Sequence, residues 1–120
     1  MRIIIARHAQ TNENLGNGDA KRDSEALLTD EGIQQAKKLA EHLKTHKITH
    51  AYASPQKRAI HTAQEILAYH VDAKINHVED LREQKLGKLS TLPKNVIREL
   101  HKQTGLPFAD FRPEEGESYA

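Results

Sequence analysis

Short apolar runs alternate with stretches of helical periodicity, and this order constrains the fold of the 120-residue chain more than any other feature. Ile3-Ile4-Ile5-Ala6 is a continuous apolar segment that ends abruptly in charge, the pattern of a strand buried on both faces. A polar stretch rich in Gly and Asn, from Gln10 to Glu25, reads as a loop. Thr29 then has the chemistry of a helix cap, with Asp30 and Glu31 placed at the positive end of the helix. Ile33, Ala36, Leu39, Ala40 and Leu43 follow at helical spacing, and this helix should end near His46. Ala51-Tyr52-Ala53 is a second strand candidate. Ser54-Pro55 should open a second helix, Ser54 as cap and Pro55 at the first helical position. Its inner stripe is Ala59, Thr62, Ala63, Ile66 and Leu67. Ile75 to Val78 is a third, weaker strand, suited to a sheet edge. Pro93 opens a third helix, with Val96, Ile97 and Leu100 inward and a stop near Gly105. Only turn chemistry follows from Leu106 to Ala120. Strand and helix in alternation predict an α/β fold with a mostly parallel sheet.

Composition narrows the choice. Leu, Ile, Val and Phe together number 26, of which only 3 are Val, while 14 residues are Ala and none is Trp. A large all-β core would need more β-branched and aromatic residues than this. With 18 Lys plus Arg against 17 Asp plus Glu, the net charge of +1 argues against a general nucleic-acid binder. No Cys is present, which excludes disulfides, thiolate metal sites and cysteine nucleophiles. No apolar run approaches the ~18 residues of a membrane span, and the N-terminal run is too short for a signal sequence. The expectation is a cytoplasmic protein that does not engage membranes.

Three positions share one geometric property. Arg7 and His8 follow the first expected strand, Ser54 and Arg58 the second, and Glu83 the third. Ligands of open parallel sheets lie beyond the carboxyl ends of the strands, so these side chains are expected to converge at one rim. Two guanidinium groups suit a phosphate. A neighbouring His can attack or shuttle protons, and a carboxyl group can protonate a leaving oxygen.

The residues themselves carry a resemblance. Arg7-His8-Ala9-Gln10-Thr11-Asn12-Glu13-Asn14 resembles the Arg-His-Gly-Glu/Gln-Thr-x-x-Asn signature of the histidine phosphatase superfamily, which includes the cofactor-dependent phosphoglycerate mutases. Leu28-Thr29-Asp30-Glu31-Gly32-Ile33-Gln34-Gln35-Ala36 is similar to that family's Leu-Thr-x-x-Gly-x-x-Gln-Ala. Ser54-Pro55-Gln56-Lys57-Arg58-Ala59-Ile60-His61-Thr62-Ala63 is similar to its Ser-Pro-x-x-Arg-Ala-x-x-Thr-Ala. Leu81-Arg82-Glu83 with Gly87, and later Gly116-Glu117-Ser118, complete an ordered set that spans nearly the whole chain.

The resemblance implies a three-layer α/β/α sandwich and a phosphatase that hydrolyses phosphomonoesters. His8 would carry the phosphoryl group, Arg7 and Arg58 would hold its oxygens with Asn14 assisting, and Glu83 would be the general acid and then the base. The partner would be a small phosphorylated substrate or inorganic phosphate, with no metal and no cofactor. A phosphoglycerate mutase and a non-catalytic phosphate-binding module or incomplete domain are the alternatives. Leu81-Arg82-Glu83-Gln84 lacks the mutases' Asn-Glu-Arg segment, which favours phosphatase.

Two departures stand out. Ala9 replaces the usual Gly, and the family's second catalytic His in a Gly-His-Gly context has no counterpart among His42, His46, His50, His61, His70, His77 and His101. The chain therefore resembles the N-terminal part of a longer single domain. In the family the strand that bears this second His lies between the first and second strands, so the resemblance implies that its absence would leave Ile3-Ile4-Ile5 without a neighbour on that side. His61 reads as a surface or supporting His beside Arg58. The His42-x-x-x-His46 pair has metal-ligand spacing, but it sits at a helix end, where His is favoured anyway.

Overall fold

The computed structural model describes residues 1–15 and 25–118. Described residues 1–14 and 25–82 form one compact unit, and Leu15 with residues 83–118 forms a second. The part of the expected loop at 16–24 lies outside the described residues.

A helical turn α1 (Asn12–Leu15), of which all but Leu15 belongs to the first unit, lies within what the sequence marks as loop. Helix α2 (Asp30–Leu43) starts where the cap chemistry places it: the Thr29 hydroxyl accepts from Gly32 N–H at 2.9 Å. Ala36, Ala40 and Leu43 are its buried stripe, at the spacing that brings one face of a helix inward. The helix ends at Leu43, three residues before the expected stop, and His46 N–H then closes a turn on the Leu43 carbonyl.

Strand β1 (Ala51–Ala53) pairs in parallel with β2 (Ile75–His77), in the register Ala51↔Ile75, Tyr52↔Asn76, Ala53↔His77. Between them runs α3 (Lys57–Leu67), so β1, α3 and β2 form the parallel crossover unit anticipated from the alternation. Helix α3 starts later than Ser54-Pro55 predicted. Gln56 is its N-cap, with extended backbone at ψ 136°, and Ser54 Oγ accepts from Gln56 N–H at 3.4 Å in the approach. The Gln56 side chain is drawn toward α3 instead, accepting from Arg58 Nη2 at 2.9 Å. Arg58 and Thr62 are the buried residues of α3. The expected stripe Ala59, Ala63, Ile66 and Leu67 is half-buried.

The strand expected at Ile3-Ile4-Ile5-Ala6, buried on both faces, is not formed. Ile3 is 69% exposed and Ile5 92% exposed. No backbone hydrogen bond joins residues 3–6 to another described residue. Apolar sequence favours a strand, but a strand exists only where a second backbone receives its N–H and C=O groups. Here the described sheet consists of β1 and β2 alone.

In the second unit, α4 (Lys94–Thr104) follows Pro93 and stops at Gly105, whose φ of 68° is the left-handed conformation that ends helices at glycine. Ile97 is buried as expected, while Val96 is exposed and Leu100 half-buried. His101 packs edge-on against Phe108, with ring centroids 5.2 Å apart, and Phe111 and Leu86 are buried. Among the described residues, no helix is long and apolar enough to cross a membrane.

Candidate active site

The backbone after His8 is held at three successive residues. Ala9 is buried in a cluster with Leu28, Ala36 and Ile33, so the methyl group that replaces glycine is part of the core. Its N–H donates to Thr62 Oγ1 at 3.0 Å, and that hydroxyl donates to the Arg58 carbonyl at 2.8 Å. Gln10 is held by α2. Its N–H donates to Gln35 Oε1 at 3.0 Å, and its carbonyl accepts from Thr29 N–H at 3.0 Å. Thr29 Oγ1 also donates to Gln10 Oε1 at 2.8 Å. Gly32 lies so close that a Cβ built on it would sit 2.1 Å from the Gln10 carbonyl oxygen. Thr11, fully buried, donates from both N–H and Oγ1 to Asn14 Oδ1, at 2.9 and 3.0 Å. Glycine, a small hydroxyl residue and a glutamine thus recur at their motif spacing because each meets the His8 loop.

His8 itself is half-buried, with Nδ1 2.7 Å from the Ala9 carbonyl oxygen. A carbonyl only accepts, so this contact requires a proton on Nδ1. In the neutral ring the lone pair then resides on Nε2, the nitrogen that is available for attack.

Arg7 is exposed beside it. Arg58 is 2% exposed on the first turn of α3, following β1 as the sequence indicates. Burying a guanidinium is costly unless its charge and its N–H groups are satisfied, so its placement is a strong structural commitment. Asn14 serves a turn through its oxygen, which leaves only the amide nitrogen to offer an anion. Glu83 is half-buried on irregular backbone at the start of the second unit, after the 3-10 turn Glu79–Leu81.

The second unit explains two further motif positions. Gly87 has φ 52°, and a Cβ on it would fall 2.1 Å from the Glu114 carbonyl oxygen. Around that approach Lys88 N–H donates to Glu114 O at 3.0 Å and Glu117 N–H to Lys85 O at 2.8 Å. Glu117 Oε2 accepts from Lys85 N–H at 3.0 Å. The glycine after Glu83 and the Gly116-Glu117-Ser118 segment therefore meet as one clasp.

His61 lies on α3 and faces Glu65 at 3.4 Å. His42 and His46 have ring centroids 6.1 Å apart. Among the described residues, no group of three or more His, Asp or Glu is placed to hold a metal ion. Thr62 is the residue whose role sequence reasoning missed. Its position in the inner stripe accounts for burial, but its hydroxyl contact with a residue 53 positions away has no local signal.

Known proteins match this chain in sequence and in fold. The profile of the histidine phosphatase superfamily (branch 1) matches residues 3–120. Phosphoglycerate mutase-like protein 4 of Arabidopsis thaliana is 38% identical over 91 residues, which cover 75% of this chain and 39% of that protein. Probable fructose-2,6-bisphosphatase TIGAR A of Danio rerio is 28% identical over 119 residues, 97% of this chain and 46% of that one. The native structure of mycobacterial glucosyl-3-phosphoglycerate phosphatase superposes with TM-score 0.74 at 25% identity, covering 92% of this chain and 53% of that one. The chain thus spans about half the length of the proteins it matches, and its fold is that of the histidine phosphatases.

Proposed function

Because the chain belongs to the histidine phosphatase superfamily, branch 1, we propose that it serves as a phosphatase that hydrolyses small phosphomonoesters through a phosphohistidine on His8. One observation carries this reading. The His8 ring is held through Nδ1 by the Ala9 carbonyl, on a loop secured to both α2 and α3, which directs the lone pair to Nε2.

In the proposed reaction Nε2 attacks phosphorus, the ester P–O bond breaks, and the departing alkoxide takes a proton from the Glu83 carboxyl group. The resulting Glu83 carboxylate then takes a proton from water. The water oxygen attacks phosphorus, the P–N bond breaks, and inorganic phosphate leaves with His8 restored. Arg7, Arg58 and the amide nitrogen of Asn14 would stabilise charge on the phosphoryl oxygens, the term that dominates phosphoryl transfer. A cytoplasmic location belongs to the same reading. The Arabidopsis relative's designation as mutase-like favours a second reading, in which the phosphoryl group returns to substrate.

The test is phosphoryl trapping with a labelled phosphomonoester, followed by acid and base quenching. An acid-labile, base-stable adduct is expected, lost in His8→Ala and kept in His61→Ala. An acid-stable, base-labile adduct would remove His8 from the role. Absence of any adduct would place the chain with phosphate-binding modules, and label returned to substrate would identify a mutase.

A further inference from the structure

We propose that Thr62 is a positioning residue, whose hydroxyl sets the placement of the His8 loop relative to the helix that carries Arg58. The proposal rests on the phosphatase reading and adds to it a residue that touches neither substrate nor phosphate.

A threonine inside a helix often donates to the carbonyl four residues back, so the bond to Arg58 O alone would mean little. The second bond differs in kind. Thr62 Oγ1 also accepts from Ala9 N–H, 53 residues away in sequence. A hydroxyl has a single proton. The carbonyl takes it, and the amide brings its own, so the two contacts fix the hydroxyl in one orientation. Thr62, Arg58 and Ala9 are 4%, 2% and 8% exposed, which leaves little room for water to replace a lost partner. The bonds of Gln10 run to α2 and those of Thr11 to Asn14. The Thr62 bond runs to α3, the helix of Arg58. The residue it holds directly follows His8 and supplies the carbonyl that holds His8 Nδ1. Release of this amide would therefore disturb both the position of the His8 ring and its alignment with Arg58. Misplacement of a reacting group by about 1 Å can cost on the order of a hundredfold.

The experiment compares the full chain with Thr62→Val, which keeps the shape and removes the hydroxyl, and Thr62→Ser, which keeps the hydroxyl. Ala9 amide exchange and inorganic phosphate binding at the His8 ring are followed by NMR. In Thr62→Val the Ala9 amide should exchange at least about tenfold faster, and phosphate affinity should fall about tenfold, with amide protection at Ala36 and Ala40 unchanged. Thr62→Ser should restore both. Unchanged Ala9 exchange or undiminished phosphate affinity in folded Thr62→Val overturns the proposal. So does a Thr62→Ser variant as impaired as Thr62→Val, because that would trace the effect to methyl packing. If Thr62→Val does not fold, an unprotected Ala9 amide in the wild-type chain or in Thr62→Ser overturns it. A wild-type His8 ring indifferent to phosphate refutes the phosphatase reading and the catalytic purpose of Thr62 together. A wild-type response that persists undiminished in Thr62→Val refutes the role of Thr62 alone.

Discussion

Gly32→Ala should destabilise this chain, although the same change in an ordinary helix interior would stabilise it. Alanine is favoured over glycine in a helix by up to about 1 kcal/mol, through backbone entropy. Gly32 lies in the first turn of α2, where the new methyl would meet the Gln10 carbonyl oxygen at 2.1 Å. That is about 1.3 Å inside the 3.4 Å at which ordinary contact begins. The obstacle is backbone, so no rotamer change relieves it. Either the turn or the His8 loop must move, which carries an overpacking cost of about 1–3 kcal/mol. Movement also stretches the bond from Thr29 N–H to Gln10 O, at 3.0 Å, worth about 1 kcal/mol net. The propensity gain offsets only part of this, so the net loss should be about 1–3 kcal/mol. Urea unfolding followed by circular dichroism measures it, with the Gln10 and Thr29 amide shifts reporting where the strain falls. A Gly32→Ala variant more stable than wild type would refute the close approach of α2 to the loop, and with it the account of why glycine occupies that motif position.

Gly87→Ala should cost more than Gly105→Ala in the same assay. Both residues have positive φ, but a Cβ on Gly87 also meets Glu114 O at 2.1 Å while one on Gly105 meets nothing within 4 Å; the Gly105 change should cost about 1 kcal/mol. Ile5→Lys should alter stability by no more than about 0.5 kcal/mol, because Ile5 is 92% exposed; a loss of 2 kcal/mol or more would return Ile5 to a core. The Glu41 carboxyl is held below the ordinary carboxylate range by hydrogen bonds from Lys44 and Tyr69. A lowered folded-state value means that stability is fully present above the ordinary carboxylate value and is lost as pH falls from there through the lowered one. Glu41→Gln should remove this acid-side dependence, and an unchanged acid limb in a pH series of urea unfolding would show that the pair contributes nothing.

Helix α2 was legible from the sequence because its determinants are local. Thr29, Asp30 and Glu31 act within one turn, and the stripe Ala36, Ala40 and Leu43 needs only helical periodicity. The stop at Gly105 is local too, since it turns on the φ of one residue. The Arg7-His8 pair and Arg58 could be singled out from their order along the chain, and α3 does place Arg58 just beyond β1. Pairing and contact, by contrast, are properties of two segments at once. Nothing within Ile3-Ile4-Ile5 indicates whether another backbone lies beside it, and in this structure those residues remain exposed. Asn14 has the composition of either an anion ligand or a turn residue, and only the position of Thr11 commits its oxygen to the turn. Thr62 reads as a buried helix position in any local window. Its hydroxyl acquires a second partner only when the chain returns from 53 residues away, because a hydrogen bond depends on where two groups meet in space.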